Sequence, residues 1–264
     1  MLSLPEFLED CYACYNKPQF ARADPVYFLY GYDDPLEREL VGLVASCLAY
    51  GRVDIIMSKT REALERLGGR PRAFLLDGGR RELEGTLRGF RHRLVTDASL
   101  ARLLEGARGV ISRHGSLGAC VRSHLRPGDQ TLLGALGGLV REIGGRPEGI
   151  PHMLPAPARG SACKRLCLLA RWMVRKDEVD PGGWEGVDPA LLVVPIDTHM
   201  LRVGRLLSLT HRKAAGMSAA LEVTAAFRAL CPSDPTRYDF ALTHLSMSLQ
   251  GRIGDYLGQV LRGS

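Results

Sequence analysis

Apolar side chains recur at three- and four-residue spacing along most of this 264-residue chain. This spacing places them on one face of an α-helix, whereas a half-buried strand needs an alternation that no segment sustains. Proline, glycine or acidic residues stand at the ends of these segments, as expected of helix termini. The sequence therefore predicts an all-α fold of about ten helices of ordinary length. The clearest helical segments are 36–67, 97–125, 132–143, 161–175, 198–209, 219–230 and 237–249.

The charge balance indicates what kind of partner the chain binds. A net charge of +6 and a pI near 9.0 favour a polyanion, because each basic side chain placed on a phosphate releases counterions. No apolar run approaches the roughly 18 residues needed to cross a bilayer. The first residues also lack the basic flank and apolar stretch of a secretory signal. We therefore expect a cytoplasmic protein that does not enter a membrane.

The seven cysteines are scattered through apolar segments, which predicts reduced core thiols and not a disulfide framework. Cys11 and Cys14 have the spacing of a metal-ligand pair, but a tetrahedral site needs a second pair or two histidines. No second pair of this spacing exists. We therefore expect no metal and no cofactor, with a zinc or iron–sulfur site at Cys11 and Cys14 as the alternative.

Asp197 stands at the predicted start of a helix, in the segment Pro-Ile-Asp-Thr-His-Met-Leu-Arg-Val-Gly-Arg-Leu over 195–206. A carboxylate there accepts backbone N–H bonds and lies at the positive end of the helix dipole, so it stays ionised and keeps a fixed direction. Such a group suits the stabilisation of a nearby cation. The alternative is that Asp197 serves only as a helix cap.

Lys164 is one of only five lysines and begins an apolar helical segment. Apolar surroundings and the positive end of a helix both disfavour an ammonium, which predicts a lowered pKa and an amine that can attack an electrophile. The alternative is a solvated surface lysine, as most helix lysines are.

These two segments together resemble the helix-hairpin-helix DNA glycosylases. The Asp197 segment resembles the Val-Asp-Thr-His-x-x-Arg-Val-x-x-Arg stretch of the endonuclease III type, in which the aspartate is catalytic. Lys164 occupies the place of the nucleophilic lysine of bifunctional members. The separation of 33 residues between them is closer to that of the archaeal 8-oxoguanine glycosylases. This resemblance implies two helical lobes around a cleft, one formed by 36–175 and the other by 1–35 together with 176–264.

A second resemblance covers most of the chain. The segments 31–39, 49–53 and 90–93, with the Lys164 and Asp197 segments, are similar to an uncharacterised bacterial family known as DUF2400. The chain departs from the glycosylase pattern at the hairpin, where Leu-Pro-Ala-Pro-Ala-Arg-Gly over 154–160 replaces Leu-Pro-Gly-Val-Gly. The four-cysteine iron–sulfur loop of endonuclease III has no counterpart.

The glycosylase resemblance implies a monomeric DNA repair enzyme that excises an oxidised purine such as 8-oxoguanine from double-stranded DNA and cleaves the strand as an AP lyase. A glycosylase without strand cleavage, a non-catalytic lesion-binding protein and a helical protein–protein adaptor are the alternatives. The implied base-pocket residues are His199, Trp172 and Trp184, of which Trp172 also fits a core position. Tyr50 fits a packing face equally well. The resemblance implies DNA contacts by Tyr50 and Arg52, and we also expect them from Arg159, Arg165 and Arg202. Phe-Arg-His-Arg over 90–93 interleaves aromatic and basic residues, which favours DNA contacts by Arg91 and Arg93, with a solvated cationic edge as the alternative.

Overall fold

The computed structural model describes residues 2–145, 149–157 and 160–261. Within these ranges most of the chain is helical, which confirms the predicted class. Two 3-10 helices span Pro25–Gly31 and Pro189–Leu191. The α-helices are α1 (Leu4–Tyr15), α2 (Pro18–Ala21), α3 (Pro35–Leu48), α4 (Val53–Arg66), α5 (Pro71–Asp77), α6 (Arg80–Leu87), α7 (Asp97–His114), α8 (Leu117–Ser123), α9 (Leu133–Gly144), α10 (Lys164–Val174), α11 (Thr198–Leu206), α12 (Met217–Leu230), α13 (Asp239–Ser248) and α14 (Ile253–Val260).

The named strands in these ranges form two short antiparallel hairpins. No sheet in these ranges has more than two strands. One pairs β1 (Arg91–His92) with β2 (Val95–Thr96), and the other pairs β3 (Gly149–Ile150) with β4 (Leu154–Pro155). The prediction of about ten helices fell short of this set because α2, α5, α6 and α14 have four to eight residues. Two turns of helix are too few to show a repeating apolar stripe.

The acidic residues around the start of α3 hold neighbouring helices in place. Asp34 caps α3 itself, and Glu37 accepts two backbone N–H bonds from the first turn of α5, at 2.8 and 3.1 Å. Buried Glu39 accepts two from the first turn of α8, at 2.9 and 3.0 Å, and a third bond from the indole of Trp184. Helix starts carry unpaired N–H groups, so these carboxylates satisfy donors that burial would otherwise leave without partners.

A buried ion network joins α10 to the loop after it and to α13. Asp180 accepts from Arg171 at 3.2 Å and from Arg175 at 2.5 Å, and Arg171 also pairs with Asp239 at the start of α13. All four side chains are at most 4% exposed. Since α13 packs against both α1 and α11, the network sets the position of α10 relative to α11.

The core is one connected cluster of buried apolar side chains that extends from α1 to α14. Helix α10 crosses its centre and packs against α3, where a Cβ on Gly42 would lie 3.1 Å from Leu169. An added side chain at that position would require Leu169 to shift by a few tenths of an ångström. The division into lobes 36–175 and 1–35 plus 176–264 stays a prediction. In the described part of the chain, no helix is both long and apolar enough to span a bilayer.

Candidate active site

Lys164 and Asp197 meet at the starts of two helices. Lys164 is the first residue of α10, and Asp197 is the residue before α11. The Nζ of Lys164 donates to Oδ2 of Asp197 at 2.8 Å, while Oδ1 accepts the backbone N–H of Met200 at 2.8 Å. The two side chains are 35% and 23% exposed, respectively. The pair is therefore ordered by the fold and still open to a ligand.

The residue before Lys164 makes the turn into α10. Cys163 has a φ of +46°, in the left-handed region that side chains other than glycine rarely adopt. Its thiol is buried and donates to the carbonyl of Pro155, at 3.6 Å, on the last residue of β4. Holding a non-glycine residue in this conformation costs about 1–3 kcal/mol, and such strain is concentrated at functional sites. The contact between Cys163 and β4 thus helps to position the first residue of α10, Lys164.

Two opposing effects set the ionisation of Asp197. Burial acts to raise the pKa of this carboxyl, but the Lys164 ammonium and the N–H of Met200 outweigh it and hold the pKa below its ordinary value. The carboxylate is therefore charged at neutral pH. With one oxygen bound to the backbone, the other keeps a fixed direction toward Lys164.

A cluster of aromatic and basic side chains lies next to Lys164 along the chain. The Arg165 guanidinium carbon lies 5.2 Å from the centre of the Tyr50 ring, and that of Arg93 lies 5.8 Å from it. The Tyr50 hydroxyl donates to the carbonyl of His92 at 2.7 Å, which fixes the ring. We call Tyr50, Arg93 and Arg165 the cation–aromatic patch. The structure thus brings together three of the residues predicted to contact DNA.

Three other predicted DNA contacts, Arg52, Arg91 and Arg202, have other surroundings in the structure. Arg52 is exposed and pairs with Asp54 at 2.8 Å, and Arg91 is exposed on β1. Arg202 donates to the carbonyl of Gly251, near the start of α14. The prediction for Arg159 falls outside the residues that the structure describes.

The tryptophans predicted to line a base pocket lie in the core, which corrects that prediction. Trp172 is fully buried on α10, and Trp184 is 2% exposed with its ring against Gly118. Neither presents a ring face to a ligand. His199, the remaining predicted pocket residue, is exposed in the first turn of α11 beside Asp197.

Two surface cavities differ in their relation to this pair. A groove of about 450 Å³ runs along the exposed face of α11 from Thr198, the residue after Asp197, and includes Arg202, Arg205 and His211. A cavity of about 940 Å³ lies between α6, α7 and α9 and is lined by neither Lys164 nor Asp197. The groove is likewise lined by neither Lys164 nor Asp197, although it begins at the residue next to Asp197.

A second cluster of reactive side chains escaped the sequence analysis. His114, Cys120, His124 and Glu142 come together where α7, α8 and α9 meet. Its one sequence signal is the four-residue spacing of Cys120 and His124, which places both on one face of a helix. Cys11 and Cys14, whose spacing is that of a metal-ligand pair, both lie in α1, where Cys11 is buried and Cys14 is exposed.

Comparison with known proteins places most of the chain in one sequence family. A family profile with the description "Protein of unknown function (DUF2400)" matches residues 24–248. No curated protein and no solved structure matches the chain. The matched range contains Tyr50, Lys164 and Asp197, as well as the cluster of His114, Cys120, His124 and Glu142.

Proposed function

We propose that this chain, which belongs to the DUF2400 family, is a DNA glycosylase with AP lyase activity that removes an oxidised purine such as 8-oxoguanine from duplex DNA. The observation that carries the proposal is the 2.8 Å contact between Lys164 Nζ and Asp197 Oδ2 at a partly open position. An amine and an ionised carboxylate so placed are the two groups that displacement of a base from a sugar requires. In this view α9, the β3–β4 hairpin and α10 form the helix-hairpin-helix unit.

The first step is displacement of the damaged base. An extruded nucleotide would place its C1′ against the Lys164 amine, at an unstacking cost of a few kcal/mol. The amine lone pair forms a bond to C1′ as the bond from C1′ to the base nitrogen breaks, and that electron pair leaves with the base. Positive charge develops on the sugar, and the Asp197 carboxylate stabilises it.

The lysine proton must leave before the amine can attack. Asp197 Oδ2 accepts the hydrogen bond of the Lys164 Nζ at 2.8 Å. Through this bond, Asp197 can pass the proton on to the departing base or to solvent. The same carboxylate thus orients the nucleophile and handles its proton.

The covalent intermediate leads on to strand cleavage. Opening of the sugar ring converts the C1′–amine adduct into a Schiff base. Asp197 or a solvent molecule then takes a proton from C2′, and the electron pair of that C–H bond forms a C2′–C3′ double bond as the bond between C3′ and its oxygen breaks and the oxygen leaves with the phosphate. Hydrolysis of the imine returns the free lysine.

The cation–aromatic patch supports the choice of DNA as substrate. Arg93 is exposed and would offer its guanidinium group to a phosphate. Arg165 donates from Nη1 to the backbone carbonyls of Cys47 and His152, at 3.0 and 2.5 Å, and would reach a phosphate with its remaining N–H groups. The Tyr50 ring is partly buried, with its centre 4.6 Å from that of the His92 ring, and its exposed side would fill the space that the extruded base leaves. A monomer bound to one duplex accounts for all of these contacts.

Borohydride trapping tests the proposal, because it reduces the Schiff base to a stable amine. Duplexes carrying 8-oxoguanine, uracil or an abasic site would be incubated with the protein and reductant. We expect a covalent complex with wild type, none with Lys164→Ala, and a strongly reduced yield with Asp197→Asn. Lys176→Ala, which removes an exposed lysine just after α10, is the matched control and should trap normally.

The rival functions give different results in the same assay. Base release without a trapped complex would indicate a glycosylase that lacks lyase activity. Binding with unchanged DNA would indicate a lesion-binding protein, and either result would overturn the role of Lys164. Affinity that does not change with salt would exclude a phosphate-binding site altogether.

A further inference from the structure

We propose that His114, Cys120, His124 and Glu142 bind a divalent transition metal ion of the zinc type. The set lies apart from Lys164 and Asp197 and does not depend on the proposed function. It also departs from the expectation, drawn from Cys11 and Cys14 alone, that the chain holds no metal.

The ligand atoms are already close to metal-binding distances. One atom each of His114, Cys120 and Glu142 lie within 4.8 Å of one another. His114 Nε2 and His124 Nε2 each lie 2.9 Å from a Glu142 oxygen, and Cys120 Sγ lies 3.5 Å from one. Zinc bond lengths give edges of about 3.4 Å between N and O and about 3.6 Å between S and O in a tetrahedron. Small shifts of His114, Cys120 and Glu142 would therefore admit an ion, and His124, which lies outside that group of three and meets it through Glu142, would have to turn toward the ion.

The donor types also fit. A thiolate, two imidazoles and a carboxylate are the ligands that zinc uses, and four protein ligands are typical of a structural site. Cys120 is fully buried, and the side chains of His114, His124 and Glu142 are 23%, 31% and 22% exposed. The site is thus sheltered but reachable from solvent.

The fold presents these ligands from three helices. His114 ends α7, Glu142 lies in the last turn of α9, Cys120 lies in α8, and His124 is the residue just after α8. Gly138, one turn before Glu142, makes room for the His124 ring, since a Cβ there would lie 2.3 Å from it. Any other residue would push this imidazole away from Glu142. An ion would join the three helices just before the β3–β4 hairpin.

Binding would replace hydrogen bonds with metal bonds and release protons. Without metal, burial and the neighbouring Glu142 raise the pKa of the Cys120 thiol to about 12. Coordination by a dication removes that proton, and each histidine would keep its hydrogen on Nδ1 while Nε2 binds. Arg113, which donates to Glu142 at 2.9 Å, would remain as a partner of the carboxylate.

Cobalt(II) is the probe, because a thiolate bound to cobalt gives a charge-transfer band that oxygen and nitrogen ligands do not. The full-length protein would be stripped with a chelator and titrated with cobalt. We expect the band, and the intense visible bands of four-coordinate cobalt, to saturate at about one equivalent. Cys120→Ser should remove the charge-transfer band, and His124→Gln should weaken binding at least tenfold.

Cys14→Ser is the matched control, since it removes one thiol of the alternative pair and leaves the proposed site intact. It should keep the full cobalt spectrum. Two measurements need no variant. Wild-type protein purified without chelator should contain close to one equivalent of zinc by elemental analysis. Its melting temperature should fall after the metal is removed with a chelator. Absence of both zinc and the cobalt bands, or loss of the band in Cys14→Ser but not in Cys120→Ser, would overturn the proposal.

Discussion

Replacing Asp180 with asparagine should destabilise the protein strongly, because Asp180 neutralises two buried guanidinium groups. Its carboxylate is fully buried and lies 3.2 Å from Arg171 and 2.5 Å from Arg175. Arg171 would keep its partner Asp239, and Arg175 would keep Asp177 and Asp234, so the loss is that of buried charge-assisted hydrogen bonds, about 1–3 kcal/mol. In a protein of this size that corresponds to a melting temperature lower by roughly 2–12 °C.

The assay is urea unfolding followed by circular dichroism, with thermal unfolding beside it. Glu84→Gln is the control, since Glu84 pairs with Arg80 on the surface and its loss should change the free energy of unfolding by less than about 1 kcal/mol. The Asp180→Asn variant should also trap DNA poorly, because the network positions α10 relative to α11. A change in unfolding free energy no larger than that of the control would refute the idea that this network holds the site together.

Three further predictions concern the site itself. Tyr50→Ala should weaken binding to lesion-containing duplex by about 1–3 kcal/mol in a fluorescence titration, through the loss of a stacking surface, whereas Tyr50→Phe should bind nearly as wild type. Arg165→Ala should lower the slope of log affinity against log salt by about 0.9, and an unchanged slope would mean that Arg165 contacts no phosphate. Because its folded-state pKa is lowered, Asp197 should contribute stability that is fully present above about pH 4 and lost as the pH falls through that lowered value. The difference in unfolding free energy between wild type and Asp197→Asn should therefore shrink in acid, and a constant difference would contradict this ionisation.

The sequence alone could predict the helices and where the paired residues stand on them. Helix starts have local signals, so Asp197 as a cap and Lys164 in a first turn follow from the chain itself. Local signals could not predict the 2.8 Å contact between Lys164 and Asp197, because 33 residues that include a long loop separate them in the chain. The buried arginine network that positions the two helices also needs Asp239, which lies 68 residues after Arg171.

The contacts that the sequence did not predict share one physical cause, which is that they join residues from distant segments. Trp172 and Trp184 are aromatic residues near the predicted site, and nothing in their local sequence separates a core ring from a pocket ring. His114 and Glu142 belong to different helices, so their approach is a property of helix packing and leaves no local pattern. Contacts between distant segments were therefore missed or misjudged, whereas local structure was predicted well.

Mass spectrometry of the borohydride-reduced protein–DNA complex tests the central claim most directly. The chain has only five lysines, so a sugar remnant can be assigned to one residue after nuclease and protease digestion. We predict the remnant on Lys164 and on no other amine. A remnant on another lysine or on the N-terminal amine, or no adduct with any lesion tested, would contradict the role of Lys164 as the nucleophile.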